Sequence, residues 1–116
     1  MSTLADYSAA PYNVKMVQGD DLVETFVFRD ADGDLLDLGS YTFASQVRQT
    51  AAGSAIASFT ITVDTNTSTV VRSLGTAVTA GLLGTYVQDM QWTDPDGDIR
   101  TLISGKLEVV AEVTRA

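Results

Sequence analysis

The chain contains no cysteine and no histidine in its 116 residues. Without cysteine there is no disulfide bond, thiolate chemistry or cysteine-based zinc site, and without histidine there is no imidazole acid–base catalysis. These two absences exclude most classes of enzyme. A chain of this length forms one domain that buries about two-thirds of its unfolded surface, so we expect a single core without covalent cross-links.

Positive charge is also scarce. The chain has 7 lysine and arginine residues against 15 aspartate and glutamate residues, which gives a net charge of -8, and the pI is near 4.1. Because each contact to a phosphate backbone needs a cation, this balance opposes nucleic-acid binding. We therefore predict no nucleic-acid partner, and no motif indicates a cofactor, a metal or a small-molecule substrate.

Long apolar runs are missing as well. Residues 1–10 contain no lysine or arginine and no apolar run of secretory length, and no segment is long enough to span a membrane. The sequence therefore predicts no membrane partner. We expect the protein to be made and kept inside a cell, or to leave it by lysis.

The dominant pattern is an alternation of apolar and polar residues, punctuated by Gly, Asp and Asn. Period-2 alternation with little helical periodicity predicts an all-β domain, and the strand spacing predicts a sandwich of two sheets with about seven antiparallel strands. The strands are predicted at about residues 12–18, 22–28, 41–49, 55–63, 69–74, 85–92 and 99–113.

The segment before the sixth predicted strand, residues 76–83, has a capping Thr and enough Ala and Leu for a short helical turn. It leads into Tyr86, whose surroundings resemble the tyrosine corner of Greek-key sandwiches, so we assign Tyr86 a structural role. Arg72 is an anomaly, because it falls between Val70 and Leu74 on a predicted inward face.

An acidic turn occurs twice, as Asp30-Ala31-Asp32-Gly33-Asp34 and as Asp94-Pro95-Asp96-Gly97-Asp98, each time between predicted strands. A calcium loop of the EF-hand type would need Gly at its sixth position and Glu at its twelfth. Those positions hold Leu35 and Tyr41 in the first copy, and Ile99 and Gly105 in the second. The Asp-x-Asp-Gly order instead favours a type I turn followed by a left-handed Gly, so we predict two tight hairpins, with a weak calcium site as the alternative.

Two further side chains are candidates for a role. Trp92, the one tryptophan, either closes the core at the end of the sixth strand or forms the centre of a contact surface, and we favour the core. Asp89 lies inside the same strand, where a facing Arg48 or Arg100 would pair with it in a surface ion pair. No carboxylate pair or activated nucleophile is indicated, so we predict that the protein is not an enzyme.

The first residues lack strand alternation. We predict that residues 1–13 form an arm, separate from a single domain over residues 14–115, that becomes ordered only on a partner. Tyr7, Pro11 and Tyr12 are its candidate contact residues, and a frayed terminus is the alternative.

Several short motifs follow one another along the chain: Gln18-Gly19-Asp20-Asp21, Phe26-Val27-Phe28-Arg29-Asp30-Ala31-Asp32-Gly33, Asp37-Leu38, Gln46-Val47-Arg48, Gly84-Thr85-Tyr86 with Asp89, Asp94-Pro95-Asp96-Gly97 and Val113-Thr114-Arg115. Their order resembles that of the small immunoglobulin-like domain found in bacteriophage virion proteins, such as the N-terminal domain of the phage baseplate upper protein. The resemblance implies an immunoglobulin-like Greek-key sandwich without catalytic residues. It also implies that the partners are other virion proteins, met by repeated copies in a symmetric assembly.

The function expected from this resemblance is that of a structural protein of the virion, as a tail or baseplate adaptor or a capsid decoration subunit. Such a protein would be assembled in the cytoplasm of the bacterial host and reside in the virion. The alternative is a carbohydrate-binding or adhesive module, which would expose a row of aromatic side chains on one sheet, with Tyr41, Tyr86 and Trp92 as the available rings.

Overall fold

The computed structural model describes residues 9–112, and these residues form an all-β fold with one helical turn. This confirms the fold class predicted from the alternation. The elements are β1 (Ala10–Pro11), β2 (Val14–Val17), β3 (Leu22–Val27), β4 (Thr42–Arg48), β5 (Ala55–Ser58), β6 (Thr60–Asp64), β7 (Thr69–Leu74), α1 (Thr76–Thr79), β8 (Gly84–Thr93) and β9 (Ile99–Val110). Among residues 9–112, no helix has the length and apolar composition that a membrane crossing requires.

The strands form two sheets. The first has the order β1-β9-β8-β4-β5, with β2 also pairing with β9, and the second has the order β3-β7-β6. β1 and β2 run parallel to β9, whereas the other pairs are antiparallel. The prediction of about seven antiparallel strands is therefore wrong in two respects. The described residues form nine strands, and β1 and β2 run parallel to their neighbour β9. Alternation shows which face of a strand is buried, but it does not encode the direction of the neighbouring strand.

The strand predicted over residues 55–63 is divided between the two sheets. β5 pairs with β4 in the first sheet, and β6 pairs with β7 in the second. The chain changes sheets at Phe59, whose side chain is buried and whose amide donates to Ser45 O at 2.9 Å. Ala57, Phe59 and Ile61 all contact the same core, so their alternation continues through the crossing and hides it.

The predicted boundary between the arm and the domain, after residue 13, lies between β1 and β2, which both pair with β9. Ala10 lies opposite Ile103, and Tyr12 N donates to Ser104 O at 3.0 Å. Residues 10–13 therefore occupy a place in the sheet of their own chain. The remainder of the predicted arm, residues 1–8, lies outside the described residues.

The predicted helical turn before β8 is confirmed as α1. Its N-cap is Gly75, which offers no side chain. The first amide is instead satisfied by Asp21 from the turn between β2 and β3, whose Oδ1 accepts from Thr76 N and from Thr76 Oγ1, both at 3.0 Å. A carboxylate distant in sequence thus replaces the local cap that the sequence predicts.

The core lies between the two sheets and has two parts. The larger part contains Met16, Val47, Phe59, Leu74, Leu82, Tyr86, Leu107 and Val109, and the smaller contains Leu38, Val70 and Met90. Burial of one large apolar side chain contributes about 1.5–3 kcal/mol. These positions therefore fix which face of each strand points inward, and they leave the opposite faces and the loops for contacts with other molecules.

Candidate functional site: the acidic end and the buried arginine network

The two acidic turns are matched hairpins. In the first, Gly33 N donates to Asp30 O at 3.0 Å, and Gly33 has a φ of 86°. In the second, Gly97 N donates to Asp94 O at 3.0 Å, and Gly97 has a φ of 88°. Both glycines occupy the left-handed region that other residues adopt only at a cost. The predicted hairpin geometry is confirmed for both copies.

One carboxylate in each turn serves the backbone. Asp30 Oδ1 accepts from the amides of residues 32 and 34 at 2.9 and 3.0 Å. Asp94 Oδ1 accepts from the amides of residues 96 and 98, both at 2.9 Å. Within residues 9–112, no group of three or more acidic side chains is arranged so that it could hold a metal ion. The first aspartate of each turn is therefore a structural residue.

Three acidic loops meet at one end of the molecule, which we call the acidic end. The loop after β3 lies beside the β6–β7 turn, because Phe28 N donates to Ser68 O at 2.9 Å. The β8–β9 hairpin lies close to the loop after β3, because the rings of Phe28 and Trp92 are 5.9 Å apart. The three loops carry eight of the chain's 15 acidic residues, namely Asp30, Asp32, Asp34, Asp37, Asp64, Asp94, Asp96 and Asp98. Such a concentration of charge attracts cationic groups over about one Debye length, roughly 8–10 Å.

Four aromatic rings fill the core beneath the acidic end. The Trp92 ring is half-buried and lies 4.7 Å from the Tyr41 ring, 5.9 Å from Phe28 and 6.3 Å from Phe43. Trp92 therefore packs against three aromatic rings at the edge of the core and stays partly exposed. Tyr86 is buried elsewhere in the core, so Tyr41, Tyr86 and Trp92 do not form a row on an outer face.

Tyr86 forms the predicted tyrosine corner. Its hydroxyl accepts from Leu83 N at 2.9 Å and donates to Leu83 O at 3.0 Å. These bonds fix the approach of the chain to β8, and they confirm the structural role assigned to Tyr86 from sequence.

Arg72 is the centre of a buried polar network. Its side chain is 0% exposed, and Nη2 lies 2.7 Å from Glu24 Oε1. Nε donates to the same oxygen at 2.9 Å. Glu24 lies directly opposite Arg72 on β3. The Phe59 ring covers the guanidinium, with its centroid 4.3 Å from Cζ, in a cation–π contact.

The network reaches the other sheet and the N-terminal segment. Arg72 Nη1 donates to Ser45 Oγ at 3.0 Å and to Gln88 Oε1 at 2.8 Å. Gln88 Nε2 donates to Tyr12 O, and the Tyr12 hydroxyl donates to Glu24 Oε2. The two sheets and the segment after β1 are therefore joined by one set of buried hydrogen bonds.

The hydrogen bond to Glu24 raises the pKa of Tyr12 above its ordinary value of 10.0. Burial and the negative charge of Glu24 act in the same direction, and the positive charge of Arg72 opposes them. The network therefore favours the protonated phenol.

The sequence shows two anomalies, because Glu24 interrupts the inward face of β3 as Arg72 interrupts that of β7. Neither anomaly alone predicted the network. Two opposite charges on two inward faces indicate a buried pair once the two strands are known to be neighbours.

The outer face of the first sheet carries Asp89. The sheet register places Gln46 and Ser104 opposite Asp89, and Arg48 Nη2 donates to Gln46 Oε1 at 2.6 Å. Arg48 is therefore not the cross-strand partner that the sequence suggested. Asp89, Arg48 and Lys106 border a shallow cleft of about 290 Å³ on this face.

The three candidate contact residues of the arm have different positions. Tyr7 lies outside the described residues. Pro11 is exposed in β1. Tyr12 is half-buried, and its ring lies 5.6 Å from the Phe26 ring in an edge contact. Tyr12 thus belongs to the interior of its own chain, whereas Pro11 is accessible to a partner.

The sequence matches no known protein-family model, and no curated protein is found to be similar to it. The residues and the geometry described above therefore carry the functional inference.

Proposed function

We propose that this chain is a non-catalytic, immunoglobulin-like domain that serves as a structural protein of a bacteriophage virion. It acts as an adaptor of the tail or baseplate or as a decoration subunit on the particle surface. Its partners are other virion proteins, and repeated copies in a symmetric assembly multiply contacts that are individually weak. The strand order is the observation that carries this proposal, and the motifs that resemble phage immunoglobulin-like domains support the virion assignment.

The order of strands supports the immunoglobulin-like part of the proposal. β3-β7-β6 corresponds to strands B-E-D, and β9-β8-β4-β5 corresponds to G-F-C-C′ of the variable-type sandwich. The tyrosine corner at Tyr86 lies near the start of β8, which corresponds to strand F, where this fold places it. Strand order and corner are independent features, and both favour the same Greek-key connection.

The Arg72 network also supports this assignment. In antibody domains a disulfide bond joins strands B and F, and its second cysteine follows the corner tyrosine by two residues. Here Gln88 follows Tyr86 by two residues, and Arg72 links it to Glu24 on β3. A polar bridge of this kind needs no oxidation, which suits a protein that assembles in the reducing cytoplasm of a bacterial host.

Quantitative mass spectrometry of phage particles tests the virion assignment. The particles are purified on a density gradient from lysates of the host that carries the gene. We expect the chain to remain with the particles through a high-salt wash, in a constant ratio to the major structural proteins. Recovery of the chain only in the soluble fraction of the lysate would contradict the proposal.

A further inference from the structure

We propose that the outer edge of β3 is a self-association site. There, β3 of a second copy pairs antiparallel with it and joins two three-stranded sheets into one. The inference rests on the properties of this strand, so it stands or falls independently of the virion assignment.

β3 is an edge strand of six residues. It pairs with β7 on one side, and within residues 9–112 no strand pairs with its other side. The backbone N–H and C=O groups of an edge form a template for another strand. Proteins usually block such edges with lysine, proline, a bulge or a short strand.

The other edges of the two sheets carry lysine, proline, a bulge or an exposed charge, whereas the one charge of β3 is Glu24, which points inward and is neutralised by its ion pair with Arg72. β1 contains Pro11, and β2 contains the exposed Lys15. β5 has only four residues, and its pairing with β4 shifts register at a bulge. β6 ends in the exposed Asp64. β3 contains neither lysine nor proline, and it pairs with β7 without a register shift.

The edge of β3 is electrically neutral in an acidic protein. Glu24 is the one charged residue of the strand, and it points inward to Arg72 at 2.7 Å. Val23, Thr25 and Val27 point outward, and Val23 and Val27 are 63% and 55% exposed. Because the chain carries a net charge of -8, two copies repel each other over much of their surface but not along this strand.

The charges that flank β3 select an antiparallel register centred on Thr25. This register keeps the outward residues of both copies on one face, with Thr25 opposite Thr25 and Val23 opposite Val27. Beyond the ends of the strand, this register brings the exposed, acidic Asp21 of each copy towards the exposed, basic Arg29 of the other. Within its own chain Asp21 Oδ1 accepts from Thr76, and Arg29 Nη1 donates to Gly33 O at 3.0 Å, so both charges are held near the ends of the edge. A parallel arrangement would bring like charges together at both ends. Charge complementarity therefore identifies a second copy of this chain as the occupant.

Sedimentation equilibrium of the full chain tests the site with a matched pair of variants. Thr25 and Thr62 are exposed, and both lie opposite Val71, on its two sides. We expect the full chain to dimerise with a dissociation constant below about 1 mM. Thr25→Glu places two like charges opposite each other and should weaken the dimer by about tenfold or more, whereas Thr62→Glu should not weaken it. Equal effects of the two variants, or a monomer at about 1 mM, would overturn the proposal.

Charge reversal tests the register. Arg29→Asp should weaken the dimer because it places acidic side chains opposite each other at both ends of the pairing, whereas Arg29→Lys keeps the positive charge and should not weaken it. Thermal unfolding confirms that each variant is folded. Equal dimerisation of Arg29→Asp and the full chain would overturn this register. A variant that lacks residues 1–8 is compared with the full chain. If this variant dimerises and the full chain does not, the edge would be assigned to residues 1–8, and the choice of a second copy would be overturned.

Discussion

Arg72 is the residue at which charge, packing and topology are most closely linked. A buried cation is costly unless it is paired and hydrogen-bonded. Arg72 obtains its partners from three other strands, with Glu24 on β3, Ser45 on β4 and Gln88 on β8. Each bond depends on the correct placement of its strand, so the network specifies how the two sheets align as well as contributing to their stability.

Replacement of Arg72 by methionine should leave the Glu24 carboxylate, whose side chain is 12% exposed, without its cation. We expect the free energy of unfolding, measured by urea denaturation, to fall by about 3–5 kcal/mol. The double variant Arg72→Met, Glu24→Leu removes both charges and should be more stable than Arg72→Met alone. A double variant whose loss equals the sum of the two single losses would contradict the coupling.

Tyr12 gives the network a pH dependence. Its folded-state pKa is raised above the ordinary value of 10.0 by its hydrogen bond to Glu24. The resulting stabilisation is complete below the unfolded-state pKa and is lost as the pH rises through the folded-state pKa. We expect the free energy of unfolding to fall more steeply as the pH rises above about 10 in the native chain than in Tyr12→Phe. Equal slopes for the two proteins would count against the network.

Among the elements, the N-terminal segment depends on a single glycine of β9. A Cβ at Gly105 would lie 2.2 Å from Tyr12 O and 2.6 Å from Asn13 Oδ1. Gly105→Ala should therefore displace this segment, accelerate amide hydrogen exchange at Tyr12 and lower the free energy of unfolding by about 1–3 kcal/mol. Gly75→Ala is the matched control, because a Cβ there meets nothing within 4 Å. Unchanged exchange at Tyr12 in Gly105→Ala would contradict this account.

The acidic hairpins depend on their first aspartate. Asp94 Oδ1 accepts from the amides of residues 96 and 98, both at 2.9 Å. Asp94→Ala removes this acceptor, so we expect a loss of about 1–2 kcal/mol in the free energy of unfolding. Asp96 contributes its amide rather than its carboxylate to these bonds, so Asp96→Ala should leave stability nearly unchanged. Thermal unfolding followed by circular dichroism distinguishes the two variants. Equal losses in the free energy of unfolding would show that the hydrogen bonds to Asp94 Oδ1 do not contribute to stability.

Features that depend on neighbouring residues could be predicted from the sequence. The two hairpins, the tyrosine corner, the helical turn and the extent of β7 all follow from residues a few positions apart. The features that were missed join distant positions. Arg72 and Glu24 are separated by 48 positions, and the parallel pairing with β9 and the change of sheet at Phe59 leave no trace in an alternating pattern. The fold class was therefore accessible from the sequence, whereas the network at the centre of the core was not.

On the scale of the whole molecule, charge is distributed unevenly. The acidic end gathers eight of the 15 acidic residues on rigid turns, whereas the β3 edge is neutral and outward-facing. In the proposed dimer the neutral edge joins the copies, and the acidic loops remain available to a basic surface of a partner protein. The same molecule can thus combine self-association with contact to a second kind of partner.

Cryo-electron microscopy of the purified phage particles is the most direct test of the structural role. We expect density for a domain of two packed sheets at symmetry-related positions, and we expect this density to be absent from particles made without the gene. The structural role would be contradicted if particles made with the gene and particles made without it showed the same density, and if the chain stayed in the soluble fraction of the lysate.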